Sequence, residues 1–381
     1  MRRLHFGRDR RKGTFWRTLI IIFLIIVILA SIFAAYYYSL KKRSGKITVS
    51  DTQTKTVEML LDPGTAYSHA VTDTHTFFFS VDSVKIASNT GVLEQDMVLK
   101  ASNPIISTDG KYALIADKGG KTAHLFFGSR LDKSFTLEEN ILIAKTNSNG
   151  YSLFITEGDV HKHSAIVITP TGEEVFKWKS GSMYVVSADI SDNNRDIALS
   201  TISTDNGVVA SNVYMFNITK DKPFANEMVI DELFGAMQFD GSYMYCIGSA
   251  ATYIYNDYGK CISQIDYEDR ELLNYVIKDG TVALLYSGST EAANGSVVCS
   301  YTSKGALLGS YSVDSKATFL DLEDGNIAVD NNRVISILDS KCREKFRLNS
   351  ETTISDFLYL GSSSVAVGIT ATGAEIIEVK K

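Results

Sequence analysis

The chain has 381 residues, 45% of them hydrophobic and 22% charged, at a net charge of −6; that is too apolar for a disordered polyelectrolyte and enough for large folded cores. The charge is segregated: residues 1–43 hold ten basic residues and one acidic, leaving 28 basic and 43 acidic in residues 44–381. An acidic domain of this kind repels phosphate backbones, which excludes nucleic acid as its partner.

Residues 1–17 form a short basic tail carrying Arg2, Arg3, Arg8, Arg10, Arg11, Lys12 and Arg17. Residues 18–40 then run for 23 positions without a charge, about 34 Å of helix against a hydrocarbon core of roughly 30 Å. This pattern predicts one transmembrane helix. Trp16 lies at its entry and Tyr36 and Tyr38 at its exit, placed like aromatic belts, with Leu19, Ile26 and Phe33 among its lipid-facing positions. Seven basic residues precede the span and four follow it, so the tail is expected in the cytoplasm and the rest outside, in a single-pass cell-membrane protein. A cleaved signal peptide would have a shorter apolar core and a small-x-small exit, whereas the exit here reads Ser31-Ile32-Phe33-Ala34-Ala35-Tyr36. The segment is read as an uncleaved anchor, followed by a linker over 41–45 and an extracytoplasmic domain over 46–381.

That domain has almost no helical periodicity. Short runs of β-formers, such as ALIAD, AHLFFG, SLFITEG and NVYMFNITKD, alternate with Asp, Asn, Ser and Gly turn signals. Two interleaved series of turns emerge. One contains Asp73, Asp109-Gly110, Asn149-Gly150, Asp192-Asn193, Asp240-Gly241, Asp279-Gly280, Asp324-Gly325 and Gly361-Ser362. The other contains Thr90-Gly91, Phe127-Gly128, Thr171-Gly172, Thr219-Lys220, Tyr258-Gly259, Lys304-Gly305, Ser340-Lys341 and Thr372-Gly373. Two tight hairpins in each unit of about 42 residues are what four-stranded propeller blades require. The fold class is therefore all-β, a β-propeller of eight four-stranded blades, with seven as the alternative because the last unit is short. Residues 47–50 or 56–60 would complete that unit and close the ring.

The run ISTDGKYAL (106–114) resembles the S-P-D-G-K-Y-L hairpin of TolB-like and WD40-like propellers. IVITPTGEEVF (166–176) is similar to the x-D-x-x-T-G-x-x-x-W motif of quinoprotein-type propellers, with Thr169 in place of the Asp and Phe176 in place of the Trp, so no quinone is implied. The plan of basic tail, single anchor and degenerate propeller also resembles an uncharacterised family of membrane-anchored propellers in Gram-positive bacteria. In such families both turn series lie on one face, and the connectors on the opposite face carry binding groups. That places candidate binding residues at His161 and His163, at Asp205 and Asn206, and at Glu291 and Asn294.

His161-x-His163 offers two imidazoles without a third ligand nearby, and 189–196 lacks the Gly and closing Glu of a calcium loop, so no metal site is assigned. No cofactor is implied. Cys246, Cys261, Cys299 and Cys342 form no CxxC pair, and whether any of them bond, Cys246 to Cys261 for instance, stays open. No nucleophile motif occurs in the domain, and no catalytic residue is assigned. The expectation is a non-enzymatic, membrane-tethered module that binds an envelope protein, peptide or glycan. The alternative is an extracytoplasmic hydrolase or lyase using carboxylates or a metal at the propeller axis.

Overall fold

A computed structural model describes residues 57–378, apart from 63–64, 66, 90, 289–294, 332, 351–353, 355, 360–364 and 371–372. The basic tail, the apolar segment with Trp16, Leu19, Ile26, Phe33, Tyr36 and Tyr38, the linker, and the candidates Glu291 and Asn294 lie outside the described residues. No helix among the described residues is long and apolar enough to cross a membrane.

Thirty-two strands pair into four-stranded antiparallel sheets. Seven of these are blades of four consecutive strands. Blade 1 runs from β2 (Ser68–Val71) to β5 (Leu93–Val98), blade 2 from β6 (Pro104–Asp109) to β9 (Arg130–Thr136), and blade 3 from β10 (Asn140–Thr146) to β13 (Glu174–Lys179). Blade 4 comprises β14 (Tyr184–Ile190), β15 (Asp196–Asp205), β16 (Val208–Asn217) and β17 (Ala225–Ile230). Blade 5 runs from β18 (Ala236–Asp240) to β21 (Cys261–Asp266), blade 6 from β22 (Leu272–Lys278) to β25 (Leu307–Val313), and blade 7 from β26 (Leu320–Glu323) to β29 (Glu344–Asn349).

The remaining sheet is composite. It joins β1 (Val57–Leu60) to β32 (Gly373–Glu378), β31 (Val365–Thr370) and β30 (Asp356–Tyr359) in that order, with Val57 opposite Ile376 and Leu60 opposite Gly373. The expectation of eight consecutive repeats is corrected here to seven blades plus this shared sheet. The last unit supplies only three strands, and its outer strand comes from the other end of the domain. Thr372-Gly373 therefore falls between the second and third strands of its sheet, not between the third and fourth as the turn series implied.

The middle strands are apolar and buried along nearly their whole length, as at Phe77–Phe79 and Ala113–Ala116, so both faces of a blade bury against its neighbours and the core is a series of interfaces. One such interface holds Leu114, Leu125, Ile141, Phe154 and Ile166 from blades 2 and 3, and another holds Tyr245, Ile254, Ile265, Val282, Leu284 and Tyr286 from blades 5 and 6. Six blades share a further device. Their last hairpin ends in a residue with positive φ, at Gly91, Gly128, Gly172, Gly259, Gly305 and Cys342, and the pairing register slips by one residue beside it. This is a Gly-type bulge, which needs a left-handed residue and adds twist to the outer strand. Blade 4 has no register slip between β16 and β17.

Candidate functional site

The inner strands of the blades converge on the axis, and the first-series turns end beside it. Around them lies a cavity of about 630 Å³, lined by residues of every blade and by Tyr359 of the composite sheet. Its volume suits a small ligand. Asp73, Asp109, Asp192, Asp240 and Asp279 all line it. Asp is favoured in turns because its carboxylate bonds nearby backbone N–H groups, so a rule of local turn chemistry, repeated by the propeller, gathers carboxylates at one mouth.

Most of these groups already have work in the fold. Asp189 Oδ2 accepts the Phe239 N–H at 2.7 Å, Asp240 Oδ2 accepts the Gly280 N–H at 2.7 Å, and Asp321 Oδ2 accepts the Tyr359 N–H at 2.7 Å. Gln238 Nε2 donates to the Ile277 carbonyl at 2.7 Å. Each bond joins an inner strand to the next sheet, where no ladder pairing exists, so these side chains clamp the ring together. Lys278 pairs with Glu323 across blades 6 and 7.

Burial pushes Asp189 up to about 6, against the pull of Lys145 and of the Phe239 and Ile190 N–H groups, and it pushes Asp321 up to about 6 against its own backbone bonds. Asp109 rises to about 7, first because it is buried and then because Asp192 stands beside it and hydrogen-bonds to it. Asp192 Oδ1 in turn accepts from Ser148 N at 2.8 Å and Ser148 Oγ at 2.6 Å. A carboxyl that is buried beside another is held toward its protonated form. The arrangement holds a proton and closes a ring. Among the described residues, no group of three His, Cys, Asp or Glu side chains is placed to hold a metal ion.

The opposite face carries the sequence-predicted candidates. His161 and His163 do not converge. His161 Nε2 contacts Ser164 Oγ at 2.6 Å and Glu139 Oε1 at 3.3 Å within blade 3, whereas His163 turns away so that its Nδ1 accepts the Val185 N–H of blade 4 at 2.9 Å. Burial lowers the His163 pKa, consistent with a neutral ring that serves as an acceptor. Glu139 is held below its usual range: burial acts to raise it, but hydrogen bonds from Thr156 and Ser164 and the His161 ring prevail. The pair is a packing joint between two blades. The acidic run at 189–196 is a hairpin, in which Asn193 Nδ2 bonds Asp196 at 2.7 Å. The four cysteines are free thiols, including Cys246 and Cys261.

Asp205 and Asn206 were expected in a long polar connector. Asp205 instead closes strand β15, opposite Val208, and only Asn206 and Gly207 turn the chain, with φ of 49° and 86°. Two positive φ values in a two-residue loop mark a tight Asn-Gly hairpin of the primed type. β15 and β16 have ten residues each, where no other strand exceeds seven. β14 pairs only as far as Ile202, and β17 only as far as Ala210, so the hairpin tip runs on about 10 Å beyond its blade. Val208, Val209, Ile230 and Leu233 are exposed around this end, with Met228 on the adjoining strand edge. Seven of the seventeen large apolar or aromatic side chains exposed among the described residues fall between Tyr184 and Leu233, far more than one sheet's share. Sequence reasoning missed this patch. Its signal was the apolar run Met228-Val229-Ile230 and the Val208-Val209 pair beside Asn206-Gly207, which pattern alone assigns to a core.

Solved structures share this architecture. BamB from Moraxella catarrhalis matches at a TM-score of 0.54 and 14% identity, covering 86% of this chain and 98% of its own. The C-terminal WD40 domain of Sif2 matches at 0.58 and 12% identity, covering 86% and 99%. A eukaryotic initiation factor matches at 0.52 and 10% identity, covering 85% and 90%. At these identities the likeness shows the propeller fold alone. No curated protein matches the sequence. One family model matches residues 64–379, that of a family of unknown function, DUF5711.

Proposed function

We propose that this chain, which belongs to the DUF5711 family of unknown function, is a protein-binding scaffold tethered to the cell membrane by residues 18–40, with its propeller outside. The observation that carries the binding role is the lengthened β15–β16 hairpin with its exposed Val208, Val209, Met228 and Ile230. Contiguous apolar surface on a soluble face marks a contact with another protein, and rigid strands hold it without an ordering cost. Three carboxylates at the axis, Asp189, Asp240 and Asp321, support the same reading from the other side, because they are engaged in clamping the ring. The likeness to BamB and WD40 propellers agrees with a scaffold.

The test places a photo-crosslinking amino acid at Val208 in the full-length protein in its own membranes, with Val98 of blade 1, which is 79% exposed, as the control site. Defined protein adducts at Val208, absent at Val98 and lost with Ile230→Lys, are expected. Identical adducts at both sites, or none, would overturn the binding role. For the tether, the full chain should resist carbonate extraction, and deletion of 18–40 should release it. Extraction of both alike would remove the membrane from the proposal.

A further inference from the structure

The partner chemistry of this surface follows from the outer edge of blade 4, and rests on the scaffold reading above. β17 is the outermost strand and pairs on one side only, with β16. Such an edge presents a row of backbone donors and acceptors, and propellers ordinarily blunt it with charge. β9 carries Arg130, Asp132 and Lys133, β13 carries Glu174, Lys177 and Lys179, and β29 carries Glu344, Lys345 and Arg347, whereas β21 carries only Asp266 and β25 has no charge but keeps its bulge. β17 carries only Glu227, and it leaves Met228 49% and Ile230 50% exposed on one side of the strand. The edge also lacks the bulge that twists the outer strand in the other blades. It is the flat, apolar kind of edge that accepts another strand.

Within the three outer strands of the blade the charge has one sign, the lysines Lys220 and Lys222 lying in the connector at the far end of β17. Across β15, β16 and β17 the charged side chains are Asp196, Asp205 and Glu227, with Asp231 following β17, and no Lys or Arg occurs in any of the three strands. Met228 and Ile230 share a face with Asn212, Ala210 and Val208 through the register of β16 and β17. A segment lying along β17 would set alternate apolar residues against Met228 and Ile230 and its intervening cations near Glu227 and Asp231, on the other face of the strand. We propose that blade 4 binds its partner by strand addition, and that the segment it accepts is an extended peptide alternating apolar and basic residues. Main-chain bonds to β17 give the affinity, and the carboxylates choose the sign.

The probe is a fluorescent Lys-Val alternating octapeptide titrated against the full-length protein in detergent, with hydrogen exchange read on the β17 amides. The proposal expects saturable binding, slowed exchange at 226–230, and affinity lower by about tenfold or more for a Glu-Val peptide, for a Lys-Ser peptide, and for the double variant Met228→Lys, Ile230→Lys. Lys-Ser binding as tight as Lys-Val would mean charge adhesion only and would overturn it. So would protection elsewhere on the propeller, or the absence of binding. The two readings separate cleanly: crosslinks at Val208 that depend on Ile230, together with no peptide binding, leave the scaffold standing and discard the strand-addition mode.

Discussion

Blade 4 and blade 5 are neighbours built on the same four-stranded meander, yet they end differently. Blade 5 closes its last hairpin with Gly259, at a φ of 74°, and its register slips between Ile254 and Tyr255. Its strands are five or six residues long, and its turn packs against the blade before it. Blade 4 replaces that hairpin with a longer connector, keeps its register, and lets two ten-residue strands run past the sheet. The lesson is that the bulged turn does more than reverse the chain. It twists the outer strand, and where it is missing the strand stays flat enough to meet another protein.

Substitution at the two glycines tests that contrast most sharply. A Cβ at Gly259 would stand 2.2 Å from Ala225 Cβ, so Gly259→Ala combines left-handed strain with overpacking against β17. A loss of about 3 kcal/mol in denaturant unfolding is expected. The ring should show the next effect through its carboxyls. Asp109, Asp189 and Asp321 are raised from 3.8 to about 7, 6 and 6, so the folded state holds protons that the unfolded chain has released. Their contribution is fully present below about pH 4 and is lost as pH rises through 6 to 7. Relative to Asp109→Asn, the wild type should lose on the order of 2 kcal/mol between pH 5 and pH 8, and a flat difference would mean that Asp109 is not held protonated by the fold.

Gly207 sits at the free tip of the blade 4 hairpin, with a φ of 86° and nothing within 4 Å of its Cβ position. Gly207→Ala is expected to cost only about 1 kcal/mol, strain without collision. A cost equal to that at Gly259 would erase the distinction between a packed turn and a projecting one. The smallest stability effect belongs to Ile230→Lys. Because the side chain is half exposed, thermal unfolding should move by no more than the equivalent of about 0.5 kcal/mol, while crosslinking at Val208 disappears. A large destabilisation would assign Ile230 to packing instead of to recognition.

The amino-acid sequence by itself determined the class of fold and its repeat, because β-formers in short runs and turn residues at fixed spacing are local properties, legible one segment at a time. It also suggested a borrowed closing strand, since the last unit is visibly short, but left 47–50 and 56–60 as alternatives, and only the pairing of Val57–Leu60 with β32 chose between them. It did not reveal the use of those turn aspartates. Asp109 and Asp192 stand 83 positions apart, and only the convergence of inner strands on one axis brings their carboxyls together. His161 and His163 looked like a pair for the converse reason: adjacency along a chain says nothing about which blade each ring faces. The docking edge was hidden by the same limit. Met228 and Ile230 lie in an apolar run that reads as core, and whether another sheet covers them is decided by how far β15 and β16 extend and by the missing bulge, which are facts of strand pairing and of packing between blades.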